Sequence, residues 1–119
     1  MRSIPILLAA LLAAQSALAQ FVVDPTAPGL AAIDYAVGGG IRDWHAVDAR
    51  GIYLRDRANR WYYAAFDHDC PGVLYDARIE FITDGSNRFD RLGRVKTETM
   101  TCGLAALDAS PPPADKGRS

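Results

Sequence analysis

The sequence is short of the groups most active-site chemistry needs. Its 119 residues hold two cysteines, two histidines and two methionines. The G-x-S-x-G elbow of a hydrolase nucleophile is missing, and Gly38-Gly39-Gly40 continues into neither a P-loop Lys-Ser/Thr nor a dinucleotide fingerprint. An excess of one charge sign is missing too. Thirteen Lys and Arg stand against fourteen Asp and Glu, so nothing drives the chain toward nucleic acid or acidic membranes. No segment beyond the first residues is long and apolar enough to cross a bilayer.

What is present begins with an export pattern. One positive charge, Arg2, precedes the apolar run Ile4–Ala14, and Ala17-Leu18-Ala19 has the A-x-A form that signal peptidase accepts. The pattern predicts a signal peptide over 1–19 and a mature chain starting at Gln20, with an uncleaved anchor as the alternative. No Cys follows Ala19, so a lipid anchor is not indicated. The expected location is periplasmic or secreted. The mature part is long enough for one small domain.

In an oxidising compartment Cys70 and Cys102 are expected to pair. They lie 32 positions apart, and closing such a loop is worth about 3–4 kcal/mol in the chain-entropy account.

Proline and glycine punctuate both ends. Residues 20–40, through Asp24-Pro25-Thr26-Ala27-Pro28-Gly29 to Gly38-Gly39-Gly40, read as a flexible arm with a brief ordered piece near Leu30–Tyr35. Residues 108–119, with Pro111-Pro112-Pro113, read as a disordered tail. The folded unit is expected over 41–107. There, short apolar runs between frequent turns favour strands. Ile52-Tyr53-Leu54 and Trp61–Phe66 flank the polar link Arg55–Arg60 and predict a hairpin. A helical turn is expected after Pro71 through Val73, Leu74 and Ala77, and a strand over Arg78–Thr83 that stops at Asp84-Gly85-Ser86-Asn87. Arg91–Thr101 reads as an edge strand or a pair of short strands, and Cys102–Leu107 as a pairing strand or a terminal turn. The fold class is mainly β, with α+β as the alternative: a small antiparallel sheet or partly open barrel with one short helix and one disulfide.

Two clusters carry polar chemistry. Asp67-His68-Asp69-Cys70 concentrates ligand-type side chains, but in a continuing strand Asp67 and Asp69 face away from His68. It reads as a solvated strand exit, and His45, His68 and Asp69 remain weak metal candidates that need the fold to unite them. Arg55, Arg57 and Arg60 beside Trp61 and Tyr63 form a candidate ligand site, because forked guanidinium donors and aromatic faces suit anionic groups and sugar rings. The structural alternative is a hairpin whose aromatics fill the core while its arginines keep the loop soluble. No catalytic residue and no cofactor is expected.

Several of these residues resemble a family of small exported Gram-negative bacterial proteins, the domain of unknown function DUF6491. The likeness is carried by Ile41, Trp44, Val47-Asp48, Ile52-Tyr53-Leu54, Asn59-Arg60, Trp61-Tyr62-Tyr63, Cys70, Leu74, Ala77, Ile79-Glu80-Phe81, Phe89-Asp90, Cys102, Leu104 and Leu107. It implies export, a small β-rich domain and no assigned activity. Members often carry a further cysteine where this chain has Gly38-Gly39-Gly40, which leaves Cys70 and Cys102 only each other. The expected role is a non-enzymatic binding or structural module of the cell envelope, with an envelope protein, glycan or lipid head group as partner. The alternatives are a small hydrolase-like enzyme and a metal-handling protein through His45 and His68.

Overall fold

The two-residue period of extended backbone puts Ile52, Leu54, Tyr62, Ala64 and Phe66 on one face of two paired strands, and all five are buried in the computed structural model. The structure describes residues 27–114 and 117–119. The signal peptide expected over 1–19 and the start of the arm lie outside them.

The strands in chain order are β1 (Ile33–Asp34), β2 (Ile41–His45), β3 (Gly51–Asp56), β4 (Trp61–Phe66), β5 (Ile79–Ile82), β6 (Arg88–Phe89), β7 (Arg94–Thr97) and β8 (Thr101–Ser110). One helical turn, α1 (Gly72–Tyr75), lies between β4 and β5, and a 3-10 turn spans Ala36–Gly38. Six strands form a curled antiparallel sheet in the order β2-β3-β4-β8-β7-β5, while β1 and β6 form a separate antiparallel pair.

β8 joins the two halves of the large sheet. Thr101–Gly103 pair with β7, and Leu104–Ser110 pair with β4. A register shift opposite Ala65 and Phe66 lets Leu104 and Leu107, three residues apart, both reach the core. The expected strand or terminal turn at Cys102–Leu107 is thus a strand that runs on to Ser110. The edge strand expected within Arg91–Thr101 is corrected in position: β7 sits between β8 and β5, with Val95 and Thr97 buried.

Cys70 and Cys102 are bonded, with Cα atoms 6.1 Å apart, and both are buried. The bond ties the corner before α1 to the strand that both half-sheets share. α1 is shorter than the expected turn reaching Ala77, because Asp76 is extended and its carboxylate instead accepts from the Thr99 hydroxyl at 2.7 Å and the Thr99 N–H at 3.1 Å.

Both ends of the expected 41–107 unit extend further. Over residues 27–40 the expected flexible arm is a strap packed on the sheet. Leu107 donates its N–H to Gly29 O and accepts from Ala31 N–H, each at 3.0 Å, so the strap continues the line of β7 alongside β8. Ile33 is 1 % exposed and pairs with Phe89, which meets Phe81 edge to face at 5.7 Å. Gly38-Gly39-Gly40, expected as the end of that flexible arm, close a tight turn instead, with Gly40 N–H donating to Tyr35 O at 2.7 Å. Composition registers the irregular backbone of this strap and not its contacts. At the other end, β8 covers 108–110 and Arg118 pairs with Ala46, so the expected disordered tail is ordered at those points.

If Ile33 belongs to the core, Ile33→Ala should lower the unfolding free energy by about 2–5 kcal/mol in urea denaturation. A loss below half a kcal/mol would mean that the strap is not part of the folded unit.

Candidate functional site

The β3–β4 hairpin is built on one carboxylate. Alternation puts Asp56 on the same face as Ile52 and Leu54, and it is 4 % exposed. A buried charge needs full hydrogen bonding. Asp56 receives it from its own turn: the Ala58 and Arg60 N–H groups donate to Oδ1 at 2.9 Å, Arg60 Nε donates to Oδ2 at 2.8 Å, and the Tyr62 hydroxyl donates at 3.2 Å. Asn59 takes the left-handed conformation (φ 62°) that this tight turn requires. Burial raises the Asp56 pKa, but the Arg60, Ala58 and Tyr62 hydrogen bonds together outweigh it, and the net shift is below the ordinary 3.8. Burial and the neighbouring Asp56 charge push the Tyr62 phenol up.

This corner divides the candidate cluster of Arg55, Arg57, Arg60, Trp61 and Tyr63 into two groups. Arg60 is committed to Asp56 through Nε, and Arg57 donates to Gly38 O at 2.8 Å and lies 5.5 Å over the Tyr35 ring. Both line a shallow depression of about 200 Å³ with Asp34, Tyr35 and Gly40. Arg55, Trp61 and Tyr63 instead occupy the outer face of the large sheet.

On that face the register sets two rows across four strands. Asp43, Arg55, Trp61 and Ser110 form one row; His45, Tyr53, Tyr63 and Asp108 form the next. Arg55 lies 5.8 Å over the Trp61 ring and reaches Asp43 at 3.4 Å, while its Nε has no partner. Tyr53 and Tyr63 meet with ring centroids 4.8 Å apart at 59°. Gly51 is needed beside them, since a Cβ there would collide with the Tyr63 hydroxyl. Tyr53, Arg55, Trp61 and Tyr63 are all half-buried, so each ring keeps one part on the sheet and another in solvent. Burial, followed by the charge of Asp48, raises the Tyr63 pKa.

The larger depression, about 680 Å³, lies beside the strap and is lined by Asp34, Tyr35, Asp84, Ser86, Asn87, Arg88 and Asp90. Its groups engage one another: Arg88 approaches Asp34 at 3.6 Å, and Ser86 donates to Asp84 at 2.9 Å. No histidine lines it among the described residues.

The metal candidates are not brought together. His45 stands opposite Tyr53, two strands from β4, a lateral gap of about 10 Å. His68 lies beyond the end of β4, 90 % exposed, with Nδ1 3.1 Å from Asp67 Oδ1. Asp69 is exposed on the same exit, and Cys70 is held in the disulfide. Among the described residues no group of three or more His, Cys, Asp or Glu side chains is placed to hold a metal ion.

Sequence reasoning passed over Asp56 and Tyr35. The signal for Asp56 was available: it extends the Ile52, Leu54 alternation, so a carboxylate falls on a core position. Tyr35 had none, because its placement depends on the strap's long-range pairing. No family model, no curated protein and no solved structure matches the chain.

Asp56→Ala should cost about 2–4 kcal/mol at pH 7, since it leaves the turn's buried donors unpaired. Because the folded pKa is depressed, the carboxylate's charge stabilises the fold above the unfolded pKa, and that contribution disappears as pH falls through the folded value. The stability gap between wild type and Asp56→Asn should therefore be constant above about pH 5 and shrink below the ordinary 3.8. Urea titrations at several pH values check this, and a gap independent of pH would show that the charge of Asp56 is not what the corner uses.

Proposed function

We propose that the protein is an exported, non-enzymatic binding module of the cell envelope, its export being what the resemblance to DUF6491 implies, and that its contact surface is the outer face of β2, β3, β4 and β8. One observation carries this reading: Tyr53, Arg55, Trp61 and Tyr63 stand half-exposed on a single rigid sheet face. Aromatic rings held edge and face to solvent offer large apolar contact at little entropic cost. Arg55 adds a guanidinium beside them, part of it in solvent and held only at 3.4 Å by Asp43. Flanking Asp43, His45, Asp108 and Ser110 supply polar groups for hydroxyls. The ligand that fits is a glycan, with sugar-ring faces on Trp61 and Tyr63 and an acidic substituent at Arg55. The formed disulfide fits an oxidising compartment, and no helix among the described residues is long and apolar enough to cross a membrane.

The test is retention of purified protein on isolated envelope polysaccharide at low salt. Trp61→Ala and Tyr63→Ala should each weaken retention at least about fivefold, as stacked aromatic contacts are worth roughly 1–3 kcal/mol. Arg57→Ala, on the other side of the hairpin corner, should leave it unchanged. Retention that survives both aromatic substitutions would remove the outer face as the contact surface.

A further inference from the structure

The large sheet ends at β2, and an edge strand presents N–H and C=O groups that another extended chain can complete. Part of this edge is already filled. Arg118 pairs antiparallel with Ala46: the Arg118 N–H donates to Ala46 O at 2.8 Å and the Ala46 N–H donates to Arg118 O at 2.7 Å. The Arg118 guanidinium lies 5.4 Å over the Trp44 ring, and the Ser119 hydroxyl sits 3.1 Å from His45 Nδ1. Gly117 has φ 129° and runs so close that a Cβ would collide with the Ala46 carbonyl oxygen. Further back along β2 the edge is closed to pairing. The Trp44 N–H is taken by the Asp43 carboxylate at 2.9 Å, and the register slips between Ile41 and Asp43.

We propose that the Trp44–Ala46 end of β2 is a strand-addition site for an extended peptide carrying a Gly-Arg pair, and that Gly117-Arg118-Ser119 fills it as the chain's own stand-in for that partner. The seated segment defines the chemistry. Two backbone bonds fix direction and register without reading sequence. Selectivity comes from the Trp44 ring, which takes a flat cation, and from the crowded Ala46 carbonyl, which admits only glycine. Among the described residues the segment is held by two backbone bonds, one ring contact and one hydroxyl contact, and a competing segment that makes the same contacts can displace it. Tethering sets the hurdle, since a segment linked in cis acts at an effective concentration of about millimolar.

The experiment uses the full chain and a fluorescent peptide of residues 114–119, Ala-Asp-Lys-Gly-Arg-Ser. Gly117→Val should expel the cis segment and raise affinity for the peptide at least tenfold over wild type, and Arg118→Glu in the chain should do the same by a separate route. A peptide with Glu in place of its Arg should bind the Gly117→Val chain at least tenfold more weakly. Hydrogen exchange at the Ala46 amide should quicken in Gly117→Val and slow again when peptide is added. The proposal is overturned if neither variant binds the peptide saturably at millimolar concentration, which would make the segment an edge cover only. Binding that leaves Ala46 exchange unchanged would equally overturn it, by placing the peptide elsewhere.

Discussion

The change of partner along β8 is the constraint on which the rest of the molecule depends. Its first residues pair with β7 and its later ones with β4, so one ten-residue strand belongs to both halves of the sheet. A flat sheet could not close a core in so short a chain, because each face would need its own cover. The partner change and the register shift beside Phe66 curl the sheet until Phe66, Val95, Leu104 and Leu107 share one interior. The disulfide sits at that point. Cys102 lies one residue before the switch, and Cys70 anchors the corner leaving β4. Gly103, at the switch itself, leaves room for the Asp67 carboxylate against the backbone. Where β7 stops, the strap takes its place beside β8 and carries Ile33 into the interior.

The Asp56 corner has a different role. It fixes the β3–β4 turn so that the residues on either side of it point predictably. With Asp56 inward, its strand neighbour Arg55 points outward, and pairing places Arg55 beside Trp61. A carboxylate saturated by its own turn is a rigid support, since each of its hydrogen bonds would have to break for the hairpin to shift. The outer face inherits that rigidity, which suits a surface that binds without reshaping.

The strands were legible in the sequence where local composition marked them, and obscure where long-range contacts set them. Trp61–Phe66, dense in aromatics, and Ile79–Ile82, bounded by a turn signal, form strands within the expected segments. Leu104 and Leu107 break the two-residue period, so a strand there becomes readable only once the bulge is known. The strap has the composition of a loop because most of its backbone is irregular. What holds it is pairing with β8 and β6, more than fifty residues away in sequence, and no local pattern encodes such pairing. The ligand cluster was legible as a set of residue types and not as a set of neighbours. Arg57 and Arg60 fall to the far side of the corner because the turn rotates them away, while Tyr53 joins the face through a register that sequence alone leaves open.

The balance between binding and catalysis turns on where charge is buried. An acid or base at neutral pH needs a carboxyl whose pKa is raised toward the working range and whose proton can reach a substrate. Among the described residues Asp56 is the carboxylate removed from water, and its pKa moves the other way. Asp56 borders the small depression beside the strap, but its oxygens are filled by four donors of its own hairpin. The acids that line the larger depression, Asp34, Asp84 and Asp90, are already engaged with Arg88, Ser86 and the Leu92 N–H. The molecule has thus placed its desolvated charge where it stiffens a turn, and its aromatic surface where a ligand can reach it. That division of labour is the physical basis of the proposed recognition by a preformed face.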